Sequence, residues 1–558
     1  MLHKVPLTAW ITITKMGYKT ITAWTKLLAA LTAIVAIYFE SRCYRIAITP
    51  KFILFFLFIS SFIEAFAAKT PIEQINYSRF STSVEISEFI QQLSDASSLA
   101  QKKLLGHSVQ GIPIYALLLS RKPDLLTDET ASNESLTLML VGSQHGSEPG
   151  GADALLLFAN EIIDGSLNYI LHQGVELIII PNSNPDGKEM NRYTNAWGVN
   201  LNDDFTLLSQ PESRAINDTL LYWRPDVVVD VHEMSDLEKK SLYKEGYLID
   251  FEAQIGIANN PNVNSNIIDF SIDYILPEWI KRVHEQGIKA QRYIGAITTI
   301  SQPVTNGRLW LRNLRNKSGI LGSFSFVLES RIDNEKGSAL APDNIKNRVE
   351  RIILNIETLV KILHVHKGKI KFIVNQARST LISAPVKLFH VYSLDINHPR
   401  ITLPLRKLST GEPVAVEFAD HRLIRTGHLV ELPDAYVVVD NQAVIKEWLE
   451  QNRIIYKTIS NGLIQKVTVQ LLGAGEPPTE LYERRLRKKC NPAVTVVSER
   501  EMELQIQKGA LWIEIAQPQG RLLPLLLDPR SSSRIFSDSP YCSLLSAGKD
   551  FFIYRIDR

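Results

Sequence analysis

Four short apolar runs, at 136–141, 175–180, 227–231 and 324–328, punctuate the middle of the chain. Each is strand-length and bounded by polar or turn residues, which predicts strands buried on both faces. Between the first two, residues 151–163 carry apolar positions at helical spacing. Residues 343–366 place Ile345, Val349, Ile352, Ile353, Ile356, Leu359 and Ile362 along one stripe, the pattern of an amphipathic closing helix. This alternation predicts an α/β domain over 70–366, with a mixed central sheet flanked by helices. Its start, 70–135, reads as a polar helical stretch and then a strand pair around 106–108 and 114–119. From about 370 the runs shorten and are separated by Pro, Gly, Asp and Asn, which predicts a β-rich accessory region over 370–558. Residues 440–452 interrupt it as a short helix. Neither repeats nor low-complexity tracts occur.

The N-terminus follows a different pattern. Lys51 precedes the apolar run 52–63, which ends in Ala65-Phe66-Ala67 and then Ala68-Lys69. A basic start, a short apolar core and a small-x-small end predict a secretory signal cleaved after Ala67. The run is shorter than the roughly 20 residues a membrane span needs. A second apolar run lies upstream at 27–39, so a membrane hairpin of both runs is the competing reading. Either reading exports the remainder, to the periplasm or medium, with membrane attachment only through residues 1–67. Composition adds exclusions. With 61 Lys+Arg against 59 Asp+Glu in 558 residues, bulk charge offers no footprint for nucleic acid. Three cysteines, Cys43, Cys490 and Cys542, make neither a disulfide framework nor a cysteine metal site. Cys490 and Cys542 remain available to pair in an oxidising compartment.

The stretch Gly142-Ser143-Gln144-His145-Gly146-Ser147-Glu148 directly follows the run 136–141. A His and a Glu three apart on a turn can aim an imidazole and a carboxylate at one ion. Ligand sites of open α/β sheets lie outside the carboxyl ends of the strands. His232 ends another apolar run, in Val229-Asp230-Val231-His232-Glu233, and is the candidate third donor. Two histidines and a carboxylate suit a catalytic zinc with an open position. An HxxE by itself is a common chance match, and His145 by itself reads more readily as a surface turn histidine; the strand end at His232 shifts the balance. Asp230 shares the parity of His232 and could orient its ring. Glu233 should face the opposite way, as a supporting or surface group.

Further motifs appear in a fixed order: Pro181-Asn182-Ser183-Asn184-Pro185-Asp186-Gly187, Arg192, Gly198-Val199-Asn200-Leu201-Asn202, His232, and Val327-Leu328-Glu329-Ser330-Arg331. Together with the HxxE and the opening segment 105–114, they resemble zinc carboxypeptidases of the M14 type over about 75–365. The tail 370–558 resembles the β-rich extension of some bacterial members. The resemblance implies one zinc per chain on His145, Glu148 and His232, with Glu329 as general base and Arg192 stabilising the oxyanion. It also implies hydrolysis of C-terminal amide bonds in a peptide substrate. Read only from their surroundings, Glu329 fits a salt bridge with Arg331 equally well, and Arg192 is a loop arginine. The turn 184–187 is given a scaffold role.

The resemblance also has gaps. Where the family has an Asn-Arg pair gripping the substrate's terminal carboxylate, this chain has Asn202-Asp203. Asn200 stands where many members carry an Asp supporting a zinc histidine. No tyrosine occurs between Tyr293 and Glu329, where the family commonly has a mobile one. Arg308, Arg312 and Arg315 are candidates to restore the positive charge, Arg312 foremost, with a solvated basic helix face as the plain alternative. Asp203 could instead read a cationic group, such as that of a cell-wall peptide. A deacylase with the same zinc machinery and a non-catalytic zinc-binding homologue are the competing functions.

Overall fold

The computed structural model describes residues 69–121, 135–163, 165, 167–235, 241–332, 344–475 and 494–557. Residues 68–558 form one compact unit. The apolar runs at 27–39 and 52–63, with Cys43 and Cys490, lie outside the described residues. Cys542 is disulfide-bonded. Among the described residues, no helix is long and apolar enough to cross a membrane.

The centre is an eight-stranded mixed sheet in the order β1-β2-β4-β3-β5-β9-β7-β8. Its strands are β1 (Ala100–His107), β2 (Pro113–Leu119), β3 (Leu136–Gly142), β4 (Val175–Ile180), β5 (Val227–Met234), β7 (Ala253–Ile257), β8 (Ala290–Arg292) and β9 (Phe324–Arg331), with β6 (Tyr247–Ile249) outside it. The block β4-β3-β5-β9 is parallel, β2 and β7 join it antiparallel, and β1 pairs antiparallel with β2. The four apolar runs of the sequence are these parallel strands, continuous because both faces are covered. Leu138, Leu140, Leu177, Ile179, Val227 and Val229 face one core with α1 (Ser83–Ala96), α2 (Gly150–Ile163), α4 (Leu276–Glu285) and α6 (Ile345–Val365). Met139, Val141, Ile178, Ile180 and Val228 face a second, smaller core with α3 (Pro211–Trp223) and Leu314 of α5 (Leu314–Ile320).

α7 (Lys367–Ser379) continues the helical part past residue 370, and strands resume only at β10 (Val386–Ser393). β10 pairs with β13 (Leu423–Val430). β11 (Arg400–Lys407) lies between β12 (Pro413–Ala419) and β6, so one strand from the first half completes a sheet of the second. A six-stranded sheet closes the chain in the order β15-β18-β14-β19-β16-β17. These are β14 (Ala435–Val438), β15 (Lys457–Thr458), β16 (Leu463–Ala474), β17 (Val494–Ile506), β18 (Leu511–Glu514) and β19 (Ile553–Ile556), with α8 (Gln442–Gln451) between the first two. The larger core runs on into this region through Tyr436, Trp448 and Leu522 to Leu527.

Strand order places the site. From β3 the chain goes to β4 on one side, then returns to lay β5 on the other. The crevice at the carboxyl ends of β3 and β5 is therefore a topological switch point, where open sheets bind their ligands.

Candidate metal centre and active site

β3 ends at Gly142, and the chain leaves it through Ser143, whose φ of 53° is uncommon for a residue with a side chain. Strain of this kind persists where surrounding contacts enforce it. Ser183 supplies such contacts, giving both its N–H (3.2 Å) and its hydroxyl (2.7 Å) to the Gly142 carbonyl. Asn184 caps the Gly187 N–H at 3.0 Å and donates its amide to the Gln144 carbonyl at 2.9 Å. Asp186 accepts from the Ser108 hydroxyl (2.6 Å) and the Gln110 N–H (3.0 Å). A Cβ on Gly146 would overlap the backbone of Gly187. The Asn-Pro-Asp-Gly turn is thus a clamp joining the β1–β2 hairpin to the His145 loop.

Three donors converge at the crevice. His145 Nδ1 lies 2.8 Å from Glu148 Oε1, and His232 Nδ1 lies 2.9 Å from Glu148 Oε2. The two Nδ1 atoms are 3.1 Å apart. His145, Glu148 and His232 are buried, and their ligating atoms lie within 4.8 Å of one another. The far side of each ring tests whether the set fits a cation. His145 Nε2 is 2.9 Å from Asn200 Oδ1, and His232 Nε2 is 2.9 Å from Asp230 Oδ2. An oxygen acceptor there holds the ring proton on Nε2, so each Nδ1 lone pair faces the centre. Gln144 holds Asp230 in turn, at 2.5 Å. Two neutral imidazoles and a carboxylate, oriented from behind, are the donor set of a three-ligand zinc site.

The electrostatics agree. Burial would raise the Glu148 carboxyl, but the imidazoles, His145 first, outweigh it and hold the group down at about 2. Burial opposes charge on His232, yet Asp230 and then Glu148 push its affinity for a proton well above the ordinary value. Protons and a metal ion would compete for this cluster.

Glu329 pairs directly with His232 in the parallel β5–β9 register, which places both side chains on one face. Part of its surface is open, yet burial is the largest influence on its carboxyl, pushed up to about 8, with His232 opposing and Glu148 and Asp230 adding to the rise. Arg192 is exposed and forms no side-chain hydrogen bond or ion pair among the described residues. Its N–H bonds to the Gly187 carbonyl at 2.8 Å, which fixes the start of its side chain beside the clamp.

The remaining sequence candidates occupy distinct places. Asn202 lies against the centre, its amide nitrogen 3.3 Å from His232 Nε2. Asp203 is held in an ion pair, accepting from Arg308 at 2.9 and 3.2 Å and from Asn200 at 2.9 Å. Arg312 is paired with Asp538 of the C-terminal region. Arg315 is buried. Glu233 is buried as well, held by Arg348 at 2.8 and 2.9 Å while accepting the Gly150 N–H at 2.7 Å. It ties α6 to the start of α2.

Tyr193 is a contact that the sequence did not reveal. Its ring stacks on His145 with centroids 3.7 Å apart. Nothing local signals a tyrosine meeting a histidine 48 positions earlier; only its place beside Arg192 hinted at it.

A family model described as zinc carboxypeptidase, Peptidase_M14, matches residues 86–237. Over these residues the chain is similar to the M14 zinc carboxypeptidases. The match spans β1 to β5 and contains His145, Glu148 and His232; Glu329 lies beyond it. Carboxypeptidase SOL1 of Arabidopsis thaliana is 29% identical over 178 residues, covering 29% of this chain and 34% of its own length. Carboxypeptidase 2 of Trichophyton rubrum is 23% identical over 211 residues, 36% of this chain and 38% of its own. The chain thus spans little more than a third of the length of these curated relatives. A solved metallo-carboxypeptidase from Burkholderia cenocepacia is 19% identical, with a TM-score of 0.39, over 52% of this chain and 71% of its own.

Proposed function

We propose that this protein is an exported zinc carboxypeptidase that removes the C-terminal residue of a peptide by hydrolysis. The observation that carries the reading is the convergence of His145, Glu148 and His232 at the switch point, with Glu329 in register beside His232. In this reading His145, Glu148 and His232 hold one zinc ion per chain. The chemistry such an ion supplies is Lewis acidity toward a carbonyl and toward water.

Glu329 is the general base. Its carboxylate takes a proton from the attacking water and returns it to the departing amine nitrogen, a two-way role suited to a carboxyl whose proton affinity has been raised toward neutrality. A cation beside it favours its ionised form, which is the form that begins the cycle. Arg192, which follows the clamp and precedes Tyr193, would supply its guanidinium as a donor to the tetrahedral oxyanion. Asn200 and Asp230 hold the two imidazoles. Export rests on the pattern at 51–69, and the substrate classes are free peptides and cell-wall peptides.

The test is the zinc-loaded chain 68–558 incubated with peptides, wall peptides and acyl-amino acids, with products read by mass spectrometry. Loss of one C-terminal residue, abolished by a chelator and by Glu329→Gln, is expected. Cleavage of the acyl-amino acids alone would replace the peptidase with a deacylase. Tight binding of one zinc without any product would leave a non-catalytic homologue.

A further inference from the structure

We propose that Arg315 receives a carboxylate carried by the residue that the enzyme releases. This deepens the peptidase reading above and rests on it. Three arginines lie in the segment 308–315, and their surroundings differ. Arg308 is bound by both oxygens of Asp203 and lies 4.4 Å over the Trp310 ring. Arg312 is bound by Asp538 and flanks the same indole at 5.4 Å. Each of these charges already has a carboxylate.

Arg315 has none. It is 5% exposed, and its guanidinium has no hydrogen-bond or ion-pair partner among the described residues. Its Nε is buried without any acceptor. The contact it does make is with the Tyr293 ring, 5.2 Å away. A buried, unpaired charge is costly, because neither water nor a counter-ion replaces its lost solvation. The slot that holds it is shaped by two glycines. A Cβ on Gly256 would come within 2.8 Å of Arg315 Nη1, and one on Gly307 within 3.3 Å of Nη2. Gly307 also admits the Tyr293 ring, which a Cβ would strike.

The slot lies on the face of β9 that carries the general base. Gly256, whose Cβ position would touch both Arg315 Nη1 and the Val327 side chain, pairs with Val327, and Glu329 follows two residues later on the same face. Glu329 nevertheless forms no ion pair with the guanidinium among the described residues. A planar fork of donors beside the general base, lacking its own carboxylate, matches a carboxylate delivered by the substrate. Asp203 has the wrong charge for this task and is itself bound by Arg308. The carboxylate has two possible sources, the terminal group or an acidic side chain of the released residue.

Three peptides, identical up to a last residue of glutamate, glutamine or glutamate α-amide, separate these sources. They are assayed with the zinc-loaded wild type, Arg315→Met and Arg315→Lys. Binding of free glutamate, glutamine and isoglutamine to the metal-free proteins is measured by calorimetry, so that capture of a carboxylate by zinc plays no part. Arg315→Met is expected to lower kcat/KM roughly 100-fold, the scale for an unpaired buried charge contact, with partial recovery in Arg315→Lys and a parallel loss of binding. Equal losses for the glutamate and glutamine peptides assign the terminal carboxylate; a loss confined to peptides with the acidic side chain assigns that group. A variant that melts like the wild type and binds and cleaves all three unchanged overturns the proposal. If Arg315→Met does not fold, Arg315→Lys decides: weakened binding supports the proposal and unchanged binding overturns it. If the wild type cleaves nothing, the peptidase reading fails and the metal-free binding series alone judges Arg315.

Discussion

The second oxygen behind each histidine differs in charge, and this should be measurable. Asp230 backs His232 with a carboxylate, whereas Asn200 backs His145 with an amide oxygen. Partners of this kind raise ligand basicity, and their loss typically costs 10–100-fold in metal affinity. Asp230→Asn should therefore weaken zinc binding by about that factor, as read by chelator competition, while Asn200→Asp should strengthen it. The three donors themselves were legible as residue types at strand ends. Asn200 in its role behind His145 was legible only through the family pattern, since the two positions are 55 residues apart. Lys317 went unread altogether. It is buried, donating to the Phe205 carbonyl (2.7 Å) and Asn452 (3.2 Å), and burial pushes it down to about 7. Between pH 7 and about 10.5 the unfolded chain then binds a proton that the folded chain does not, so this group makes stability rise with pH across that window. Below pH 7 both states are protonated and its contribution is flat at its lowest. Thermal melts from pH 7 to 10 at constant ionic strength should show a shallower rise in Lys317→Met than in the wild type.

Among the elements, the parallel strands were readable because burial on both faces writes uninterrupted apolar runs, and α6 because its stripe keeps helical spacing. The contacts that lock these elements were not. Glu233 read as a supporting or surface group, yet its side chain is fully buried against Arg348, 115 positions away. Breaking a buried pair from one side strands a charge, at about 3–5 kcal/mol. Denaturant titration of Arg348→Met should show a loss of that size, with much of it recovered when Glu233 is also changed to Met. The Gly146–Gly187 approach makes a separate demand. Gly146→Ala should open the clamp and lower zinc occupancy, measured by elemental analysis, more than it lowers the melting temperature of the whole chain.

For the molecule as a whole, the β-rich region is part of the structure that supports the site. Trp448 on α8 is fully buried and donates to the Thr206 carbonyl at 2.8 Å, beside the loop that carries Asn200 to Asp203. Asp538 holds Arg312, and the larger core passes from the central sheet into Leu522 to Leu527 without a break. Removing residues 384–558 should leave a fragment that shows no cooperative melt and binds a hydrophobic dye. Trp448→Ala should cost about 3–5 kcal/mol by chemical denaturation, and zinc affinity should fall with it. The sequence marked this region by its texture alone, because which surface a β-rich segment covers depends on contacts hundreds of positions apart. The same limit separates the two kinds of knowledge about the site. Periodicity, strand ends and short motifs are local, so the sequence by itself determined the α/β class and the buried strands and marked His145, Glu148 and His232 as candidate ligands, while Glu329 entered only through the family resemblance. Ion pairing is spatial. Arg308 meets a carboxylate 105 positions away and Arg312 one 226 positions away, while Arg315 meets none among the described residues. Only the tertiary structure decided which arginine keeps its charge available, since three arginines in one segment are indistinguishable until the fold assigns their partners.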